Sequence, residues 1–255
     1  MTRLTLAALA ALTTLAGSAA AQTPTIATDR PDFVESSQTV GRGRFQFETS
    51  VSSDVTNRAG TRETVWGAPT LLRLGVSERV ELRFETDGFQ RVTQSAQGIS
   101  STVSGMADAA LGFKWHVRDG IGVLVHADLP SGSPLFRGTG VRPSLRGVAE
   151  WELPGNMSLG LMPGVVYDAD ETGRRFVTGL FGATLGKAWT SSFRTFVEYS
   201  AQELKPSAYG EDVITYDFGA AYLLRHNWQL DAAFSLGAAA APDMSFTVGI
   251  SALLP

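Results

Sequence analysis

Charged side chains on alternate residues are the chemistry this chain offers. Glu81, Arg83 and Glu85 alternate with Val80, Leu82 and Phe84, and Lys114 and His116 alternate with Phe113, Trp115 and Val117. Asp128, Arg146, Glu150, Arg194, Glu198, Asp217 and Asp231 sit in runs of the same kind. In a β-strand such spacing puts every charge on one face. A face of mixed-sign charge suits a hydrated passage or a buried ion network. Two catalytic readings find little support in the residues. Ser144, His126 and Asp128 have the types of a hydrolytic triad, but serines and inward acids are numerous enough here for such a coincidence. His116, His126 and His226 show no metal-ligand spacing. The chain is therefore read as carrying no catalytic residues, no metal and no cofactor.

One further charged segment lies ahead of the strand-like runs. Thr28-Asp29-Arg30-Pro31-Asp32-Phe33-Val34-Glu35-Ser36 packs four charges and a proline into a stretch too polar to cross a membrane. Two readings stand for it: a solvated leader, or a segment tucked among inward-facing Arg and Glu.

The elements that position these groups are strands. Tight turns at 77–79, 118–120, 154–156, 188–191 and 225–227 recur roughly every 37 residues and alternate with longer polar connections at about 53–62, 88–104, 130–140, 168–174, 202–211 and 238–243. Between them lie twelve strand-like runs, at 42–53, 63–76, 79–90, 105–117, 120–130, 140–153, 156–168, 174–187, 190–202, 211–224, 227–238 and 243–254. They are longer than ordinary globular strands and suit tilted membrane strands. Short turns at one rim and loops at the other predict an all-β, up-and-down antiparallel transmembrane barrel of about 12 strands, with the short turns periplasmic. The stretch Arg91 to Ser104 is expected as the longest and most mobile loop.

Chemistry decides which face meets lipid. A basic residue at the midplane of a barrel's lipid face costs about 2–4 kcal/mol, so the charged set must face a lumen and the apolar set must face outward. Aromatics agree: Trp115, Trp151, Trp189, Trp228 and Tyr222 lie at tight turns, and Tyr167, Tyr199, Tyr209 and Tyr216 in or near long loops. Two belts at opposite strand ends are the pattern of interfacial anchoring.

At the N-terminus, Arg3, the apolar run Leu4–Leu15 and Ala19-Ala20-Ala21 read as a secretory signal over 1–21. A leader at 22–41 and a barrel at 42–255 would follow, with the outer membrane as destination. No cysteine is present, so neither disulfides nor thiol chemistry enters. A net charge of −4 with scattered signs gives no reason to expect nucleic acid.

Thr28 to Ser36, then Gln38-Thr39-Val40 and Gly43-Arg44-Phe45-Gln46-Phe47-Glu48, resemble the opening of a family of outer-membrane transporters named for the meta-cleavage (MetA) pathway of phenol degradation. Val34 departs from the threonine usual there. Leu72 to Arg83, and Gly105-Met106-Ala107-Asp108 leading to Leu111-Gly112-Phe113-Lys114-Trp115, resemble it as well. The resemblance implies a barrel associated with passive uptake of small organic, including aromatic, compounds. Lipid and a small organic solute are then the expected partners. Selectivity or gating is expected from Asp29, Arg30, Asp32, Glu35, Arg44, Glu48, Glu81, Arg83, Glu85, Lys114, Arg194 and Glu198.

Overall fold

A computed structural model describes residues 25–255. The signal expected at 1–21 lies outside the described residues.

Fifteen β segments form one antiparallel sheet that closes on itself by pairing the last segment with the first. They are β1 (Phe45–Arg58), β2 (Thr61–Gly67), β3 (Thr70–Gly75), β4 (Val80–Thr86), β5 (Phe89–Ala96), β6 (Ile99–Met106), β7 (Ala109–Arg118) and β8 (Ile121–Leu129). The second half holds β9 (Arg142–Leu153), β10 (Met157–Ala169), β11 (Arg175–Ala188), β12 (Phe193–Leu204), β13 (Val213–Arg225), β14 (Trp228–Ala239) and β15 (Met244–Leu254). Three strands are interrupted, between β2 and β3, between β4 and β5, and between β6 and β7. The barrel is therefore twelve-stranded.

The interruptions line up across the wall. Ala68 N–H donates to Asp87 O (3.1 Å), Ala107 N–H to Gly88 O (2.8 Å) and Ser50 N–H to Pro69 O (3.0 Å). Pro69 supplies no N–H to the ladder. Gly88 has φ +67°, and a Cβ there would come within 2.5 Å of Ala68 O. Proline on one strand and an obligatory glycine on the next thus bend neighbouring strands at one level.

Above that level the wall continues as ribbon, which corrects two expectations. The connection expected at 53–62 is the end of β1 turning at Ala59-Gly60, and the connection expected at 88–104, with its mobile loop Arg91 to Ser104, is the β5–β6 hairpin turning at Gln97-Gly98. Both turn pairs have positive φ (48° and 79°, 49° and 80°), as a two-residue hairpin requires. Cross-strand pairs such as Thr93–Thr102 (3.1 Å) and Ser95–Ser100 (3.1 Å) knit the second hairpin. Its composition reads as loop because a strand standing in water needs no apolar face. The remaining long connections stay loops. At 240–243, Asn57 donates through its side-chain amide (3.0 Å) and its backbone N–H (2.7 Å) to Asp243, which holds that carboxyl below its ordinary pKa.

The faces are sorted as alternation predicts. Leu82, Leu111, Val248 and Phe218 are about half exposed on the outside, whereas Gln46, Glu48, Arg73, Glu81 and Lys114 on the inside are fully buried. This is the reverse of a water-soluble barrel, and it is stable only if hydrocarbon covers the outer band. Trp115, Trp151, Trp189 and Tyr222 are exposed at the tight-turn rim, and Tyr167 and Tyr216 towards the other.

Val248 lies mid-strand on β15 with its side chain outward. Val248→Arg is expected to lower unfolding free energy in lipid vesicles by about 2–4 kcal/mol, measured by denaturant titration.

Candidate functional site in the lumen

The lumen is occupied by the chain's own residues 25–43. Ile26 N–H donates to His226 O (2.7 Å) at the tight-turn rim, and Gly43 N–H donates to Gly75 O (2.8 Å) at the same rim. Between these points the segment rises into the barrel and doubles back. Its deepest contacts are made by Arg30 to Glu35. Of the two readings of this segment, the tucked one describes the structure.

Asp29 is the centre. Its carboxylate meets Arg83 Nη1 at 2.6 Å, Lys114 Nζ at 2.7 Å and Arg73 Nη1 at 3.4 Å, and it accepts the Ser36 N–H at 2.8 Å. Each cation is shared onward. Arg73 also pairs with Glu81 (2.8 Å) and Glu48 (3.0 Å), and donates to the carbonyls of Ala27 and Gln38. Arg83 also reaches Glu81 (3.1 Å), Glu85 (2.8 Å) and Glu35 (2.7 Å). Charges removed from water on this scale survive only when paired and fully hydrogen-bonded.

The wall also holds the plug by its backbone. Glu48 accepts the N–H groups of Asp29 (3.0 Å) and Arg30 (3.1 Å), and Glu198 those of Phe33 (2.6 Å) and Val34 (2.8 Å). Glu150 accepts Ser37 N–H (2.7 Å), and Glu81 accepts Val40 N–H (2.8 Å). An irregular segment in a dry lumen has no ladder to satisfy its amides, so inward carboxylates do so instead. Outer members of the network are more open: Asp32 with Arg194 (3.1 Å), Glu35 with Arg146 (2.9 Å) and Arg30 with Asp231 (3.4 Å). Val34 completes the seat among Leu124, Val148, Met162 and Leu180. The family's usual threonine would bring a hydroxyl into that apolar cluster.

Eleven of the twelve expected residues thus meet in one network. Arg44 stands apart, near the rim, where it donates to Val40 O (3.2 Å). The expected set omitted Arg73, although a single charge within Leu71-Leu72-Arg73-Leu74 was its signal. Arg146, Glu150 and Asp231 belong to the expected inward face but lie outside that set. No triad is assembled: Asp128 pairs with Arg142 (3.2 Å), and His126 Nε2 faces Glu85 (3.2 Å) and Arg83 (3.1 Å). The ligand atoms of Glu35, Glu85 and His126 lie within 4.8 Å of one another. Arg83 already contacts all three, which places a positive charge where a cation would have to sit. His116 is separate and lies 3.0 Å from Ser37 O through Nδ1.

The plug divides the lumen. Below it lies a cavity of about 700 Å³ lined by Trp151, Arg194 and Gln229 among others, and above it one of about 620 Å³ lined by Phe33, Phe136, Arg142 and Arg146 among others. Asp32 touches both.

Fold and lumen together define a plugged transmembrane β-barrel of porin-like architecture. The chain belongs to the family described as "Putative MetA-pathway of phenol degradation", whose model matches residues 28–253 and so includes the plug. No curated protein matches it. Among solved structures it is similar to the COG4313 outer membrane channel from Pseudomonas putida F1, at 11% identity and a TM-score of 0.63, covering 85% of this chain and 97% of that one. The β domain of the Bordetella autotransporter BrkA is 15% identical with a TM-score of 0.57, covering 82% and 99%. The NanC porin is 11% identical with a TM-score of 0.50, covering 82% and 98%. At such identities the likeness speaks for the fold.

Removing Asp29 would leave three buried cations short of a partner. Asp29→Ala is expected to destabilise the barrel by about 3–5 kcal/mol in chemical unfolding. Asp170→Ala, which breaks the exposed loop pair with Arg174 (3.2 Å), should leave stability nearly unchanged.

Proposed function

We propose that this protein is an outer-membrane channel for passive uptake of small organic solutes, aromatic ones included, with residues 28–36 as its plug. The observation that carries this reading is the charged segment seated in a polar lumen with a cavity on either side. A barrel built only for structure or adhesion has no need of two chambers divided by a plug. Membership of a family associated with phenol degradation supports an aromatic solute, and the similar Pseudomonas protein is itself described as a channel. A secretory signal at 1–21 accords with delivery to the outer membrane. Barrels of about eight strands are filled by side chains and those of 16–18 leave an open channel. Twelve strands leave room that a short segment can close.

Selectivity on this reading is set by the paired charges around the plug, which act as a charged constriction. The test is single-channel recording in planar bilayers. The intact protein should give small or rare openings, and deletion of residues 28–36 should raise conductance several-fold, with heat-modifiable mobility confirming that the barrel is folded. Equal conductance with and without the segment would contradict its role as plug.

A further inference from the structure

Three sides of the plug are closed by buried contacts. Against β3, β4 and β7 the ions around Asp29 hold it. Against β8 to β11 Val34 packs into the dry cluster of Leu124, Val148, Met162 and Leu180. Against β13 to β15 Ile26 and Val40 pack on Leu223 and Leu253, Arg30 Nη2 donates to Thr247 Oγ1 (2.9 Å), and Gln229 Nε2 donates to Thr28 Oγ1 (2.9 Å). The side facing β12 differs. There Glu198 accepts the backbone N–H groups of Phe33 (2.6 Å) and Val34 (2.8 Å), and a single side-chain pair, Asp32 with Arg194, joins plug to wall.

That pair stands where the two chambers meet. Asp32 is the one lining residue that the lower and upper cavities share, and Arg194 lines the lower cavity and not the upper. Arg194 Nη1 donates to Asp32 Oδ2 (3.1 Å) and Nη2 to Oδ1 (3.2 Å), and the Asp32 carboxylate has no other hydrogen bond among the described residues. The two side chains are 12% and 34% exposed, against 3% for Asp29. An ion pair that water reaches costs far less to open than a buried one. Arg194 keeps other contacts when released: Nη2 donates to Arg30 O (3.3 Å), and the guanidinium lies 5.9 Å from the Phe196 ring. The backbone on either side of Asp32 is pinned, Arg30 N–H by Glu48 (3.1 Å) and Phe33 N–H by Glu198. Opening here therefore needs two side chains to part while the plug stays seated.

Charge on both sides of the pair has one sign in excess. The lower chamber is lined by Asp32, Asp119, Glu150 and Glu152, with Arg194 as its one basic lining residue. In the upper chamber Arg142 faces Asp128 (3.2 Å) and Asp168 (3.5 Å), Arg146 faces Glu35 (2.9 Å), and Asp87 has no basic partner among the described residues. A cation arriving from above meets the Asp32 carboxylate ahead of Arg194 and takes over its charge without leaving it unpaired. An organic acid meets the same carboxylate as repulsion. We propose that the Asp32–Arg194 pair is the gate between the two chambers, and that it admits organic cations, aromatic ammonium compounds included, in preference to organic acids. This deepens the channel reading above and rests on it.

The chain has no cysteine, so a single Asp32→Cys in the full-length protein lets the charge at that position be set by a thiol reagent. In planar bilayers Asp32→Cys should open several-fold more often than the wild type. A sulfonatoethyl methanethiosulfonate, which returns a negative charge, should restore closure, and the trimethylammonium-ethyl reagent should not. The same reagents on Ser158→Cys, which lines the lower chamber from β10, should leave opening unchanged. Arg194→Gln should open as Asp32→Cys does, with heat-modifiable mobility confirming the fold of each variant. Zero-current potentials of the wild type in gradients of benzylammonium chloride and of sodium benzoate then give the sign, with benzylammonium expected to be several-fold the more permeant. Wild-type opening in both Asp32→Cys and Arg194→Gln, closure by both reagents alike, or the same response at position 158 would overturn the gate. Preference for benzoate would overturn the cation assignment and leave the gate standing. No current from any variant, the 28–36 deletion included, would overturn the channel reading and this inference with it.

Discussion

One carboxylate surrounded by three cations organises this barrel. Asp29 belongs to neither a strand nor a turn, yet Arg73, Arg83 and Lys114 converge on it from β3, β4 and β7. Without it, three positive charges would face one another in a lumen from which the plug itself has excluded water. With it, they become the fixed floor on which Glu35, Glu48, Glu81 and Glu85 settle. The barrel wall and its occupant are therefore one electrostatic unit. The plug contributes part of the stability of the wall around it, and removing it would leave Arg73, Arg83 and Lys114 to the wall carboxylates Glu48, Glu81 and Glu85 and to water.

The same logic separates the molecule into levels. In the membrane band the wall is inverted, apolar outside and charged within, and only the plug makes that interior dry. Above the aligned bend at Pro69 and Gly88 the wall turns into ribbon, mostly Gln, Ser and Thr with one short apolar row of Val65, Val92 and Val103 across it. Loop 131–138 packs beside that bend, where Asp108 accepts the N–H groups of Gly132 (2.7 Å) and Gly138 (2.8 Å) and Ser133 bonds the backbone of Met106. The upper cavity thus has a built roof of strand and loop, not an open funnel of disordered chain.

Much of this was legible in the residues. Alternation along 80–86, 109–117 and 121–129 places each side chain on the face where it is found, because a two-residue period leaves no third choice. The ribbon at 89–106 was not legible, since Val92, Ile99 and Val103 are too few among Gln, Ser and Thr to mark a two-residue period, and the composition resembles a loop. The bends were hidden for a related reason: Pro69 reads as a demoted strand residue, and its alignment with Gly88 appears only once the strands are paired. The pairings of the plug were not readable either. Asp29 and Lys114, or Arg30 and Asp231, are brought together by barrel closure over a separation that no local pattern records. Arg73 could have been found, as a lone charge that three leucine neighbours would not otherwise tolerate.

The central claim is that residues 28–36 sit inside the barrel in the native membrane. A Cβ at Gly182 would lie 2.6 Å from Val34 Cγ2, close enough for a disulfide to take the place of that contact. The most direct measurement is therefore oxidation of the Val34→Cys/Gly182→Cys double variant in outer-membrane vesicles, read by gel mobility of a fragment cut between the two positions. The account predicts that the disulfide forms in most molecules and that a bulky water-soluble maleimide fails to label Cys-substituted position 34. Ready labelling at position 34 with no disulfide would place the segment outside the lumen and contradict the account.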